Sequence, residues 1–273
     1  MNPQIDNYKL VAKLGTLKTF VQLLRSVNHR ENATCFCTDN GLKITVEDSK
    51  CIQASAYIPI QVFQEFNLVE DVIFKINLTV LVECLNMFWS NMSSANASVG
   101  LQLYYKDQGH PVTVLIEEDG IITDCSLKTQ DPDEILDFHM ETELVLNRVV
   151  LKTTLLRDIW TELDPSSEYL ELLLSPETPY FRITSNGLAG ECRIELPHDS
   201  DLICTFQCKK EASFFYRQSH IKPAMKALGC CETVSLRTDK SGLLCFQYMV
   251  KTDEGHICYV EYYVSPVVEG DED

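Results

Sequence analysis

Positive charge is scarce in this sequence. Its 23 lysines and arginines stand against 40 aspartates and glutamates, a formal net charge of −17. Backbone binding to nucleic acid is supplied by cations, so this total argues against such a partner unless the basic residues share one surface. Long apolar runs are missing too: none approaches the roughly 18 residues of a membrane span. The apolar patch Thr79–Trp89 is interrupted by Glu83 and Asn86. No membrane partner is expected. Met1–Lys13 is mixed polar, so no secretory signal is expected, and the Asn-X-Ser/Thr matches at Asn32, Asn77, Asn91 and Asn96 read as chance. HExxH, GxSxG, P-loop and nucleotide fingerprints are absent. No catalytic residue and no cofactor are expected.

Cysteine is plentiful, with 12 residues, but the paired spacing of a zinc site is not there. No metal site is expected. Cys35, Cys37, Cys51, Cys204, Cys245 and Cys258 sit inside strand-like apolar runs, where a thiol acts as a small core hydrophobe. Many free thiols fit a reducing compartment.

The apolar pattern is that of many short strands and a few helices. Gly15–Asn28 is predicted as an amphipathic helix with Leu17, Phe20, Val21, Leu24 and Val27 on one face. A hairpin is expected from Ala33–Thr38 through Asp39-Asn40-Gly41 to Leu42–Glu47. Further strands are predicted at Cys51–Ile58, Val72–Leu78, Ser98–Lys106, Val112–Glu117 and Ile121–Lys128. A second helix is expected over Thr79–Ser90, with Thr79 as N-cap and Glu83 in its first turn. Thr129–Met140 is polar, acidic and contains Pro132, and reads as a linker.

The pattern of the first half then restarts. Lys152–Leu163 reads as a helix, a run of strands follows, and His220–Leu228 reads as a short helix before three last strands. Val99-Gly-Leu-Gln-Leu aligns with Val234-Ser-Leu-Arg-Thr, and Glu118-Asp-Gly-Ile with Asp253-Glu-Gly-His, at one offset of about 135 residues. Thr38-Asp-Asn-Gly-Leu aligns with Thr184-Ser-Asn-Gly-Leu at a slightly larger offset. The expected organisation is α+β, with two domains of one fold, each of two helices and about eight strands. The expected limits are 1–129, a linker at 130–140, a second domain at 141–266 and an acidic tail at 267–273.

The few basic residues gather on the helices. Lys18, Gln22, Arg25 and His29 form one stripe of the first helix, opposite its apolar face. Lys152 and Arg157 lie off the apolar face of the third helix, and Lys222 and Lys226 are one turn apart on the fourth. A solvated helix face explains any single case, but repetition on equivalent helices favours a shared basic surface.

Tandem domains, an acidic linker, basic helices and the ending Glu261-Tyr-Tyr-Val-Ser-Pro266 followed by acidic residues resemble the eukaryotic sliding clamps, such as proliferating cell nuclear antigen. Five stretches are similar to the Rad-one family within that superfamily: Arg30-Glu-Asn-Ala-Thr-Cys-Phe-Cys-Thr, Phe63-Gln-Glu-Phe, Ile76-Asn-Leu-Thr-Val-Leu-Val-Glu-Cys-Leu, Pro179-Tyr-Phe-Arg and Cys258-Tyr-Val-Glu-Tyr-Tyr.

The resemblance implies two tandem clamp domains in a nuclear, non-enzymatic scaffold of DNA-damage signalling and repair. Two other clamp subunits would complete a heterotrimeric ring around double-stranded DNA. An ATP-dependent checkpoint clamp loader, checkpoint mediators and repair proteins would be further partners. Lys18, Arg25, Lys152, Arg157, Lys222 and Lys226 would face DNA. Ring closure would pair the edge strand Ile121–Thr129, with Ile121, Thr123, Cys125 and Leu127, and the edge strand Ala189–Leu196, with Glu191, Arg193 and Glu195. The differing charges of these edges favour hetero-assembly. A partner-peptide pocket would involve Glu47, Ile52, Ile135, Leu136, Tyr263 and Pro266. Glu47 stands where the proliferating clamp has a methionine, which implies a different client set. Exonuclease activity has been attached to the family. The densest acidic cluster, Asp131, Asp133, Glu134 and Asp137, lies in the linker, where a solvated loop is the expectation.

Overall fold

The computed structural model describes residues 7–15, 17–88, 99–136 and 138–267. The chain forms two compact units. One comprises Met1–Glu47, Ser55–Ile135 and Val250–Tyr259, and the other Asp48–Ala54, Leu136–Met249 and Val260–Asp273.

In the first unit β1 (Leu10–Leu14) leads into α1 (Lys18–Val27), then β2 (Asn32–Thr38), β3 (Gly41–Asp48), β4 (Ile52–Pro59), β5 (Glu65–Leu68) and β6 (Val72–Asn77). After α2 (Leu78–Asn86) come β7 (Val99–Tyr105), β8 (Val112–Glu118), β9 (Ile121–Leu127) and the two-residue β10 (Thr129–Gln130). One sheet has the order β5-β1-β7-β8-β9, and another runs β10-β6-β2-β3. Helix α1 buries Phe20, Val21, Leu23, Leu24 and Val27, and α2 buries Leu78, Leu81, Val82 and Leu85. Their apolar spacing of three and four residues makes each helix one-sided.

The second unit repeats the plan. Its elements are β11 (Asn147–Lys152), α3 (Thr153–Glu162), β12 (Tyr169–Leu174), β13 (Phe181–Gly187), β14 (Gly190–Leu196), β15 (Ile203–Cys208) and β16 (Ala212–Arg217). Then follow α4 (Gln218–Ile221), a 3-10 segment (Lys222–Gly229), β17 (Thr233–Thr238), β18 (Leu244–Lys251) and β19 (Ile257–Val264), of which the end of β18 and the start of β19 count with the first unit, as the start of β4 counts with the second. The order β14-β13-β12-β16 matches β4-β3-β2-β6, and β15-β11-β17-β18 matches β5-β1-β7-β8. The duplicated α+β fold is therefore present, with ten strands in the first copy, the last of two residues, and nine in the second among the described residues, rather than about eight.

Four strands escaped the sequence pattern: the two-residue β10, which pairs with β6 inside the segment read as a linker, and three others. β1 is flanked by Lys9 and Lys13 and reads as polar, yet it is central, between β5 and β7. β5 has four residues and no buried one. β11 runs into α3 with no turn residue, because Lys152 both ends the strand and occupies the cap.

Other expectations are corrected. The cap of α2 is Asn77, whose side chain accepts from the Val80 amide at 2.9 Å, and not Thr79. Asn is the stronger cap, and Thr79 instead donates to Asn28 Oδ1 at 3.2 Å. Glu83 therefore falls beyond the first turn. In the first hairpin Thr38 pairs with Gly41, so Asp39 and Asn40 alone form the loop and Gly41 opens β3. Gly41 has φ +122°, and a Cβ there would meet the Ile58 carbonyl oxygen at 2.3 Å. The alignment of Thr38–Leu42 with Thr184–Leu188 fails. The former spans the β2–β3 turn and the latter the β13–β14 turn, since one Asn-Gly turn looks like another. The predicted helix His220–Leu228 is one α-turn followed by 3-10 structure, which Pro223 enters at the first positions.

Candidate nucleic-acid interface and sheet edges

Lys18 and Arg25 lie on α1 and Arg157 on α3, but Lys152 ends β11 as the cap of α3, and Lys222 and Lys226 lie in the 3-10 segment. Lys18, Lys152, Arg157, Lys222 and Lys226 are exposed, while Arg25 is half-buried. Arg25 donates through Nε to Asn86 Oδ1 at 2.9 Å, tying α1 to the end of α2. In the other copy Arg157 donates through Nη2 to the Leu228 carbonyl at 3.2 Å, tying α3 to the 3-10 segment. Each arginine thus braces two helices. Partial burial lowers the Lys226 pKa. Asp158 is exposed beside Arg157, so the face of α3 is mixed in charge.

Both strands expected at edges end their sheets. β9 ends the order that begins at β5, and β14 ends the order β14-β13-β12-β16. On β9 the alternation turns Thr123, Cys125 and Leu127 partly or wholly inward, while Ile121 is 70% and Ile122 64% exposed. On β14 Glu191, Arg193 and Glu195 point outward. Arg193 pairs with Glu191 at 2.7 Å. Sequence reasoning missed Ile122 and the hairpin tip Leu188, which is 95% exposed. Strict alternation along β9 would have flagged Ile122.

That hairpin tip is gripped from below. Asp164 accepts from the Ser166 amide at 2.8 Å, the Ser166 hydroxyl at 2.7 Å and the Ala189 amide at 3.0 Å. Ser166 Oγ also accepts from the Leu188 amide at 2.8 Å. These donors hold the Asp164 carboxyl below the usual carboxylate range.

The residues expected around a peptide pocket differ in exposure. Ile52 and Tyr263 are buried, Glu47, Ile135 and Pro266 are half-buried, and Leu136 is exposed. Tyr263 packs with Met140 and Cys245, and Phe138 stacks on it at 6.3 Å. Gln53 Nε2 donates to the Leu136 carbonyl at 2.5 Å. Sequence reasoning also missed a sheltered polar network here. Arg237 reaches Glu261 Oε1 at 3.0 Å and Cys245 Sγ at 3.2 Å, and Gln247 donates to Glu261 at 2.8 Å. Burial pushes the Cys245 thiol up to about 12 despite the adjacent guanidinium. Alternation along β17 and β19 would have placed Arg237 and Glu261 on one sheet face.

In the acidic linker Asp131, Asp133 and Glu134 are exposed, and Asp137 lies outside the described residues. Asp133 is ion-paired with Lys75, and Asp131 accepts from Gln108 at 2.9 Å. Among the described residues no group of three or more His, Cys, Asp or Glu could hold a metal ion, and no helix is long and apolar enough to cross a membrane.

Duplicated units of two helices and antiparallel sheets define the sliding-clamp fold. Proliferating cellular nuclear antigen from Entamoeba histolytica superposes with a TM-score of 0.77 over 96% of this chain and 100% of that one, at 17% identity. The chain belongs to the Rad1 family, described as Repair protein Rad1/Rec1/Rad17, whose pattern matches residues 9–250. It is 42% identical over 264 residues to the mouse Cell cycle checkpoint protein RAD1, covering 96% of this chain and 94% of that protein. A weaker similarity, 24% over 189 residues, covers 58% of this chain and 41% of the DNA repair exonuclease REC1 of Mycosarcoma maydis.

Proposed function

We propose that this chain is one subunit of a heterotrimeric ring that encircles double-stranded DNA and serves, in the nucleus, as a scaffold for checkpoint and repair proteins. The observation that carries the reading is that β9 in one copy of the fold and β14 in the other are the longest strands that end a sheet among the described residues, seven residues each and largely exposed. An open sheet edge is a template for another strand. Two such edges per chain suit a closed ring, in which β9 of one subunit meets the β14-type edge of the next. The tandem limits 1–129 and 141–266, joined by 130–140, are part of this reading. The family relationship supports the checkpoint and repair role.

Within the ring, DNA is retained by topology. Lys18, Lys152, Arg157, Lys222 and Lys226, with Arg25 behind them, need only weak phosphate contacts that permit sliding. The acidic exterior disfavours DNA outside the hole. The ring opens through an ATP-dependent checkpoint clamp loader. Clients dock near Ile52, Ile135, Leu136, Tyr263 and Pro266, and Glu47 disfavours purely apolar plugs. Glu47→Met should raise the affinity for a replication-clamp peptide measured by fluorescence anisotropy; unchanged affinity counts against the selective role of Glu47.

The test of the ring is topological. The chain is assembled with two partner subunits and loaded on nicked circular DNA, and linearising the DNA should release the ring. Reversing Lys18, Lys152, Lys222 and Lys226 to Glu should reduce retention at least tenfold and flatten its salt dependence, with the ring's mass unchanged. Arg25 and Arg157 are left in place because each braces two helical segments. Full retention by the reversed ring would refute the DNA-facing assignment. A stable homotrimer at micromolar concentration would refute hetero-assembly.

The second reading, an exonuclease, is favoured only by the REC1 similarity. The pairing of Asp133 with Lys75 supports the scaffold instead. End-labelled DNA degraded with Mg²⁺ or Mn²⁺ by wild type, but not by an Asp131→Asn/Asp133→Asn variant, would favour the enzyme.

A further inference from the structure

The end of α3 and the start of α4 enclose a cleft of about 310 Å³ in the second unit. Its walls include Trp160, Ser167, Glu168, Gln218 and Lys222. Trp160 is half-buried and lines the cleft as well as the apolar interior.

The walls are held in place. The Gln218 amide N–H donates to the Glu168 carbonyl at 2.8 Å. With its side-chain amide turned to donate, Gln218 also reaches the carbonyls of Asp164, at 3.2 Å, and Ser167. Ser167 Oγ donates to the Tyr169 carbonyl at 2.7 Å and accepts from the Asn186 amide at 3.2 Å. The Glu168 carboxylate is offset by Arg217 at 2.8 Å. Lys222 is exposed at the mouth and makes no ion pair among the described residues. Two more exposed cations lie on the flanking elements, Arg157 on α3 and Lys226 in the 3-10 segment, but neither is a wall of the cleft.

We propose that this cleft binds one unpaired nucleotide of a DNA strand, with the base against the Trp160 indole and the adjoining phosphate on Lys222. An aromatic face beside a cation is the combination that single-stranded nucleic acid uses, because every base has a π-face to stack and a phosphate to neutralise. A paired base inside a duplex cannot enter, so the cleft distinguishes an unpaired stretch from the duplex that the ring encircles. The inference rests on the DNA-encircling reading for how nucleic acid reaches the cleft.

The test uses the full chain on a Trp89→Phe background, so that Trp160 is the sole indole. Titration with a decamer of deoxythymidylate should quench Trp160 emission, and a duplex of the same length should quench it far less. Trp160→Leu, followed by anisotropy of a labelled decamer, should weaken single-strand binding about tenfold. Trp160→Phe should restore most of it and guards against a folding defect, which the melting temperature checks. Retention of circular duplex by the assembled ring should be the same for Trp160→Leu and wild type. Equal single-strand affinity of Trp160→Leu and wild type overturns the inference, as does a Trp89→Phe chain that is quenched equally by both probes or by neither. Those outcomes leave the ring reading to its own linearisation test.

Discussion

β9 and β19 occupy the same place in the two copies of the fold and have opposite surroundings. In β9 only Leu127 is buried, whereas in β19 Cys258, Val260, Tyr262, Tyr263 and Val264 all are. The same contrast holds between β14, with no buried residue, and its counterpart β4, which buries Ile52 through Ala56 and Ile58. Composition follows the surroundings. The open strands keep Asp124 on β9 and Glu191, Arg193 and Glu195 on β14, while β4 carries Ala54 and Ala56 at full burial. A repeated backbone therefore does not require a repeated surface, and charge on a strand marks which copy stays open.

The sharpest way to break this comparison is to place the same carboxylate in both strands. Val260→Asp buries a lone charge in β19, where Val260 is fully buried, and should cost about 3–5 kcal/mol or abolish soluble protein. Ser126→Asp on the exposed side of β9 should stay within about 0.5 kcal/mol. Chemical denaturation of both variants is the check, and equal losses would remove the distinction.

A second contrast lies two strands along in the same sheets. Arg237 on β17 aligns with Gln102 on β7, so one copy holds an ion pair where the other is neutral. Glu261→Ala strips the sheltered guanidinium of its carboxylate and should cost about 3 kcal/mol. Gln102→Ala removes only an acceptor for the Tyr104 hydroxyl and should cost about 1 kcal/mol. If the urea midpoints of the two variants coincide, the pair contributes no more than its neutral counterpart.

The smallest effect on folding should accompany a large effect on assembly. Asp124→Lys combined with Arg193→Glu should shift stability by less than about 1 kcal/mol, since both positions are exposed. The same variant should lose at least tenfold in ring formation with its partners, read as complex mass at fixed concentration. Normal assembly would show that these edges are not the contacts.

The elements most legible from sequence were those with a strict period. The 3.6-residue spacing of Leu17, Phe20, Val21 and Leu24 gave α1, and the repeat offset gave the duplication. β1 and β11 were not legible, because a short strand that carries lysine gains its burial from neighbours far along the chain, and β5 was not because none of its four residues is buried. The basic stripe was readable residue by residue. The bracing roles of Arg25 and Arg157 were not, since their acceptors lie 61 and 71 residues away. The Trp160 cleft was equally hidden, as it joins a helix end to the start of another helix through the loop between Leu163 and Tyr169.

The grip of Asp164 and Ser166 on the β13–β14 turn bears on the thermodynamics of joining chains. A strand that must be frozen when it pairs loses conformational freedom at that moment, and the loss is subtracted from the association free energy. Here the turn leading into β14 is fixed beforehand, and a Cβ at Gly187 would lie 2.5 Å from Asp164 Oδ2, which shows how closely the two segments fit. The ordering entropy of that end of the edge is spent during folding. An incoming strand therefore meets a rigid template, and pairing at this edge should register chiefly in how slowly the joined subunits come apart.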